Sequence, residues 1–277
     1  MLFFLLLIGA LSSLGLVAGL LSGLVGLGGG IILVPGLLSL LAVATSWAPA
    51  WGLSSPVLMP LVIGTSLGGM IFTTLMAAWS HHQRTPLAWG IIKRLMPGIL
   101  IGAMVGVWLT PQISAVGVRA LFAGVCFVLG GKFLFFNTKA KSLQTPWQPS
   151  GLIIFLFSFL IGILSGLLGL GGGILTLPLL LRLGFSLPQS SATSAAMTFQ
   201  TVLVSALAAI ITGWHTEGLP PYTIGYIFWP ASLLIGLSGL IGARAGVRLA
   251  HYLPPGIIKR VFGGLVVLIG LRMLPIV

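Results

Sequence analysis

Long apolar runs separated by short polar or proline-containing gaps follow one another along the whole chain. An apolar run of about 20 residues can cross a hydrocarbon core of about 30 Å as a helix. The runs are continuously apolar rather than alternating, so they predict helices and not a β-barrel. Ten segments are predicted, near residues 2–24, 30–45, 57–79, 88–109, 115–136, 151–169, 172–184, 190–213, 223–246 and 257–275.

A glycine-rich phrase occurs twice, once in each half of the chain. Residues 19–35 match residues 162–178 at 12 of 17 positions without a gap, at an offset of 143 residues. Each copy holds three consecutive glycines, and glycine costs about 1 kcal/mol relative to alanine inside a helix. The phrases therefore predict a duplicated chain with a break, or a re-entrant hairpin, near the membrane midplane in each half. Close packing of helices across small residues is the alternative interpretation.

The most polar stretch divides the segments into five and five. We expect a first membrane repeat over 1–136, a cytoplasmic linker over 137–150 and a second membrane repeat over 151–277. The predicted fold is an all-α integral membrane protein whose two repeats are inverted, because each repeat has an odd number of segments. If the gap at 80–94 is cytoplasmic, 11 of the 13 Lys and Arg residues lie at inner loops or inner helix ends. The positive-inside rule then predicts both termini outside.

Composition narrows the class of protein. A chain with 57% hydrophobic residues, 5% charged residues and a mean hydropathy of +1.19 is not an ordinary soluble protein. The basic residues behind the formal net charge of +12 lie mostly in loops and near the ends of apolar segments, which indicates membrane topology and no nucleic-acid partner. The expected partners are the lipid bilayer and a small anionic substrate, and self-association is left open.

Several kinds of chemistry are not predicted. The single carboxylate, Glu217, lies in a short polar gap, so no intramembrane acid is available for a proton relay. The sequence has no paired carboxylates, cysteine cluster or phosphate-binding loop, so we expect no enzymatic activity, no cofactor and no metal site. The four histidines lie at segment ends, where we expect solvated imidazoles at the interface: His81, His82, His215 and His251.

The glycine phrases have the chemistry of an anion site. A break in a helix leaves backbone N–H groups without partners, and the helix that follows directs its positive dipole end toward the break. An oxyanion fits such an environment. Hydroxyl groups at matching positions of the two halves and one amide can supplement the backbone. The candidate site comprises Gly28, Gly29, Gly30, Gly171, Gly172, Gly173, Ser22, Ser165, Thr65, Ser66, Thr193, Ser194 and Gln200.

The repeated Ser-Gly-Leu-x-Gly-Leu-Gly-Gly-Gly phrases ending at Pro35 and Pro178 resemble those of the TauE/SafE family of membrane proteins. The 64–66 and 192–194 elements and the loop at 81–84 extend the resemblance over nearly the whole chain. It implies a plasma-membrane permease that moves small sulfur-containing anions, with export as the expected direction. The second Thr-Ser element carries alanine where the first carries glycine, so the two half-sites are not strictly equivalent.

The leading hypothesis is therefore a secondary transporter for a small sulfur oxyanion such as sulfite or an organosulfonate, working by alternating access. A scaffold or subunit of a larger membrane complex that transports nothing is the main alternative, although a scaffold has no need of polar residues at the breaks. An embedded enzyme is disfavoured, because no pairing of a nucleophile with a base is visible.

Overall fold

The computed structural model describes residues 2–26, 28–47, 55–135 and 150–274. Each predicted apolar segment corresponds to an α-helix within these ranges, although the bounds of the ninth differ. In chain order the helices are α1 (Leu2–Val25), α2 (Gly30–Trp47), α3 (Ser55–His82), α4 (Trp89–Leu109), α5 (Ala115–Phe135), α6 (Gly151–Leu168), α7 (Gly173–Arg182), α8 (Leu187–Gly213), α9 (Trp229–Tyr252) and α10 (Pro255–Met273). A short 3-10 helix, Thr110–Gln112, follows α4.

The ninth predicted segment, 223–246, has the wrong bounds at both ends. Its first residues form a two-stranded antiparallel hairpin, β1 (Thr223–Ile224) with β2 (Ile227–Phe228), and the helix extends six residues beyond the predicted end. Gly225 has a φ of +56° at the turn of the hairpin, a conformation that interrupts a helix. The predicted linker, residues 137–150, lies outside the described residues except for Ser150, which immediately precedes α6.

The protein is an all-α, multi-pass membrane protein. Among the described residues, seven helices are long and apolar enough to cross a membrane. The shorter α7 has 10 residues and spans about 15 Å at 1.5 Å per residue, which is half of the hydrocarbon thickness.

Two pairs of helices pack backbone to backbone through glycine. In the first pair, a Cβ added to Gly19 of α1 would collide with the Gly239 carbonyl of α9, and one added to Gly23 would collide with that of Ala243. In the second, a Cβ on Gly102 of α4 would collide with the Phe159 carbonyl of α6. Later residues of one helix meet later residues of the other, so both pairs are parallel. Helices α5 and α10 also pack together.

The packing partners follow a simple rule across the two halves. The first helix of each half packs on the fourth helix of the other half, as α1 on α9 and α6 on α4. The third helices, α3 and α8, pack on each other, and so do the fifth helices. The core between them is apolar, and the largest fully buried side chains include Phe122, Leu33 and Leu168. The third helix of each half also packs on the fourth helix of the other half, as α3 on α9 and α8 on α4, so each of these interfaces either has a counterpart or is shared by the two halves.

Candidate functional site

Both glycine phrases interrupt their helices. Helix α1 ends at Val25 and α2 begins at Gly30, while α6 ends at Leu168 and α7 begins at Gly173. Six glycines in the two breaks have positive φ angles, a region that a side chain disfavours by about 1–2 kcal/mol. They occupy matching positions, with φ values of +71°, +90° and +75° at Gly26, Gly28 and Gly29 and of +65°, +74° and +88° at Gly169, Gly171 and Gly172.

The two breaks lie against each other. A Cβ added to Gly30 would collide with the carbonyl oxygen of Gly169 and lie 3.0 Å from the Cα of Leu170. A Cβ added to Gly28 would lie 3.4 Å from the Leu170 carbonyl oxygen. Glycine is therefore required here for close approach of two backbones as well as for conformation. The two breaks therefore form one continuous junction rather than two separate regions.

Backbone N–H groups collect at this junction. The N–H groups of Gly171, Gly172, Gly173 and Ile174 make no hydrogen bond within the described part of the chain, and all four residues are buried. The first N–H groups of α7 that find a carbonyl belong to Leu175 and Thr176, and both bond to the carbonyl of Gly172. Buried N–H groups without partners are rare in proteins.

The first break has the same local pattern. The N–H groups of Ile32 and Leu33 bond to the Gly29 carbonyl at 3.1 and 3.2 Å, as their counterparts do at the second break. Helices α2 and α7 therefore both begin at the junction, and each presents the positive end of its dipole there. The junction has the electrostatic character of an anion site.

The matched serines of the phrases differ in their bonding. Ser22 and Ser165 are both fully buried. The Ser165 hydroxyl donates to the Ile161 carbonyl at 2.6 Å, one turn earlier in α6. The Ser22 hydroxyl has no hydrogen-bond partner among the described residues. Among the described residues, the two hydroxyls therefore differ in that only that of Ser165 is held within its own helix.

The predicted Thr-Ser elements contribute to contacts between helices. The Thr65 hydroxyl accepts a hydrogen bond from the N–H of Phe228 at 3.0 Å, and the Thr193 hydroxyl accepts one from the N–H of Ala88 at 3.2 Å. Phe228 and Ala88 are the residues just before α9 and α4. Each threonine thus caps the start of the fourth helix of the other half, which the sequence did not predict.

The neighbouring serines lie closer to the junction. A Cβ added to Gly169 would be 3.0 Å from the Ser66 hydroxyl, which donates to the carbonyl of Ile63 at 2.8 Å. The Ser194 hydroxyl donates to the Gly173 carbonyl at 3.1 Å and pairs with the Thr176 hydroxyl at 2.9 Å. Gln200 lies on α8 and is half-buried. The structure therefore brings Ser66 and Ser194 to the breaks.

Two residues at the junction are not among the candidate site residues predicted from the sequence. Met70 of α3 and Thr198 of α8 contact both breaks, and both are buried. Each lies five residues after the threonine of its Thr-Ser element, so they occupy equivalent positions in the two halves. That spacing was the available signal, but a methionine in an apolar helix carries no sign of a polar site.

The prediction of a solvated imidazole is wrong for His81. This side chain is buried, and its Nε2 lies 3.0 Å from the carbonyl oxygen of Gly23 in the last turn of α1. The side chains of His82 and His215 are exposed as expected, whereas that of His251 is outside the described residues. Within the described chain, no group of three or more His, Cys, Asp or Glu side chains is placed to hold a metal ion.

A small apolar pocket lies apart from the breaks, near the start of α1. Apart from Thr65, its lining is hydrophobic, which suits an apolar group better than an anion. The lining residues are Leu7, Leu11, Leu37, Leu40, Leu41, Thr65, Phe228 and Ala231.

Comparison with known proteins assigns the family. Residues 11–273 match the family model described as "Sulfite exporter TauE/SafE". The chain belongs to this family. The resemblance inferred from the glycine phrases is thereby confirmed, and the TauE/SafE chain is a membrane transporter rather than an enzyme.

Curated relatives agree with this class. A "Probable membrane transporter protein" of Haemophilus influenzae is 28% identical over 263 residues, covering 94% of this chain and 95% of the relative. The "Probable membrane transporter protein YunE" of Bacillus subtilis is 26% identical, covering 94% and 95%. The "Sulfite exporter TauE/SafE family protein 5" of Arabidopsis thaliana is 38% identical over 77 residues, which is 28% of this chain and 17% of that protein. No solved structure matches the chain.

Proposed function

We propose that this chain is a secondary transporter of a small sulfur-containing oxyanion, sulfite or an organosulfonate, and that it works as an exporter in the plasma membrane. The observation that carries the proposal is the cluster of buried N–H groups from Gly171 to Ile174, which find no partner in the described chain. The energetic cost of such groups is removed when an anion accepts their hydrogen bonds. The family description and the Arabidopsis relative's name supply the sulfur chemistry.

In the proposed site, some of the predicted residues bind the anion directly and others hold the surrounding backbone in place. Backbone N–H groups of Gly28, Gly29 and Gly30 and of Gly171, Gly172 and Gly173 bind the anionic oxygens. The Ser22 hydroxyl and the Gln200 amide donate to the anion, while Ser66, Ser165 and Ser194 hold the shape of the breaks. Thr65 and Thr193 act at a distance by fixing the starts of α9 and α4.

We further propose that the halves, 1–136 and 151–277, are inverted repeats that rock about this site, with 137–150 as a cytoplasmic linker and both termini outside. The directions of the helices support the inversion. The bond between His81 and Gly23 joins the ends of α1 and α3, and six residues separate the end of α3 from the start of α4. Because α6 is parallel to α4, it runs opposite to α1.

The test is transport by purified protein in liposomes loaded with sulfite. We expect saturable flux in the wild type and its loss in Gly171→Ala, since the added Cβ would lie 2.5 Å from Met70 Cε and 2.9 Å from Val202 Cγ2. Gly218→Ala is the matched control. Gly218 has a similar φ of +78°, and a Cβ there meets nothing within 4 Å.

Retained flux in Gly171→Ala would contradict the proposed site. Absence of sulfite and sulfonate flux in the wild type, together with no shift of its melting temperature by either anion, would contradict the proposed substrate. That second result would favour the scaffold alternative.

A further inference from the structure

Met70 occupies the space between the two glycine breaks. A Cβ on Gly28 would lie 2.8 Å from Met70 Cε, and one on Gly171 would lie 2.5 Å from the same atom. A Cβ on Gly30 would lie 3.0 Å from Met70 Sδ. The end of this one side chain therefore contacts both breaks at the point where their backbones meet.

Thr198 approaches the same point from the other half. Its Cγ2 would lie 2.8 Å from a Cβ on Gly28 and 3.2 Å from a Cβ on Gly171. The residues are repeat-equivalent, yet their freedom differs. The hydroxyl of Thr198 is held by the Ser194 carbonyl at 2.7 Å, and a β-branched side chain has few rotamers. Met70 has an unbranched, flexible side chain, and no hydrogen bond from a described residue holds it.

We infer that Met70 is a specificity-determining residue, whose side chain sets the largest organic group that an anion bound at the breaks can carry. This inference rests on the proposed function and deepens it. An anion that binds the N–H groups of the breaks has to share their surroundings with the Met70 thioether. The anionic headgroup binds to the N–H groups alone. The organic substituent of a sulfonate also needs space beside the breaks, and the flexible Met70 side chain determines how much space there is. Thr198 forms the fixed wall opposite.

The inference predicts an upper limit on the size of the organic group that a transported anion can carry. Sulfite carries no substituent, whereas methanesulfonate, ethanesulfonate and benzenesulfonate carry progressively larger ones. One methylene in an apolar pocket changes discrimination by roughly 10-fold or more. Shortening residue 70 is expected to favour the larger anions selectively.

The experiment compares fluxes of chloride, nitrate, sulfite and the three sulfonates through wild type, Met70→Ala and Met70→Leu in liposomes. We expect Met70→Ala to raise the ratio of ethanesulfonate to sulfite flux about 10-fold. Met70→Leu, which conserves volume, should change this ratio much less. Met59→Ala is the matched control, because Met59 is also a buried methionine of α3 but precedes Met70 by 11 residues.

The inference would be overturned if Met70→Ala transported the anions in the same order and with the same ethanesulfonate-to-sulfite ratio as the wild type. Absence of flux of every anion in both proteins would also overturn it. An equal change in Met59→Ala would also overturn it, since the effect would then come from general loosening of α3. The proposed substrate and the proposed role of Met70 can be tested separately. A wild type that moves chloride or nitrate but no sulfur anion contradicts the proposed substrate, while a change of the size cut-off in Met70→Ala would still support the role of Met70.

Discussion

At the scale of single residues, Thr65 and Thr193 join the two halves through one hydroxyl each. Thr65→Val removes the acceptor of the Phe228 N–H, and Thr193→Val removes that of the Ala88 N–H. Loss of a partner for a buried donor costs about 1–3 kcal/mol, so we expect both variants to melt at lower temperature in detergent. The control is Thr212→Val, because among the described residues the Thr212 hydroxyl bonds only to the Ala208 carbonyl of its own helix. Equal melting temperatures in all three variants would refute this capping role.

The matched serines of the glycine phrases, Ser22 and Ser165, are expected to contribute unequally to anion binding. In Ser22→Ala the anion loses a hydroxyl that has no partner in the described chain. A hydrogen bond to a charged group contributes about 1.5–3 kcal/mol, so the sulfite concentration for half-maximal flux should rise about 10-fold. Ser165→Ala should change that concentration less, because the Ser165 hydroxyl already donates to Ile161. The opposite order of effects would exclude Ser22 as a ligand.

At the scale of elements, the parallel pairs α1–α9 and α4–α6 depend on glycine for contact between backbones. A side chain at Gly102 would collide with the Phe159 carbonyl, which cannot move without the whole of α6. Gly102→Leu is expected to destabilise the protein by about 1–3 kcal/mol or more, as overpacking does. Thermal unfolding in detergent measures the loss.

Gly124→Leu is the control for this packing effect. Gly124 is exposed on α5, and a Cβ there meets nothing within 4 Å. If both substitutions lower the melting temperature equally, close packing of α4 on α6 is not the cause. Gly102 and Gly106 are four residues apart on α4, a spacing of small residues that is common at helix contacts in membranes.

At the scale of the whole molecule, the proposed exporter moves charge. If one net negative charge leaves per cycle without a coupled ion, a potential of 100 mV, negative inside, favours efflux by about 2.3 kcal/mol. This free energy corresponds to a roughly 50-fold difference in the anion concentration ratio at equilibrium. Sulfite distribution in liposomes clamped by a potassium gradient and valinomycin measures it. Liposomes with Gly171→Ala serve as the control for leak, and a distribution that does not depend on the potential would exclude electrogenic movement.

The order of apolar segments and the duplicated glycine phrases predicted much of this architecture from the sequence. Hydropathy and glycine content act locally along the chain, so they predicted the ten helices of the described residues, except for the bounds of α9, and the breaks between α1 and α2 and between α6 and α7. The repeated phrases also indicated the family. The hairpin before α9 was missed, since its apolar residues do not differ in hydropathy from those of a helix.

Only the tertiary structure decided which groups meet. Hydropathy has no information about which helices become neighbours, so it could not assign Thr65 and Thr193 to the starts of α9 and α4 or bury His81 against Gly23. Nor could it place Met70 at the junction, because a methionine has the same apolar character in a core as beside a site. The sequence by itself determined where the chain breaks in the membrane. The packing of the halves brought the two breaks together, since their glycines alone allow the backbones of Gly30 and Gly169 to touch.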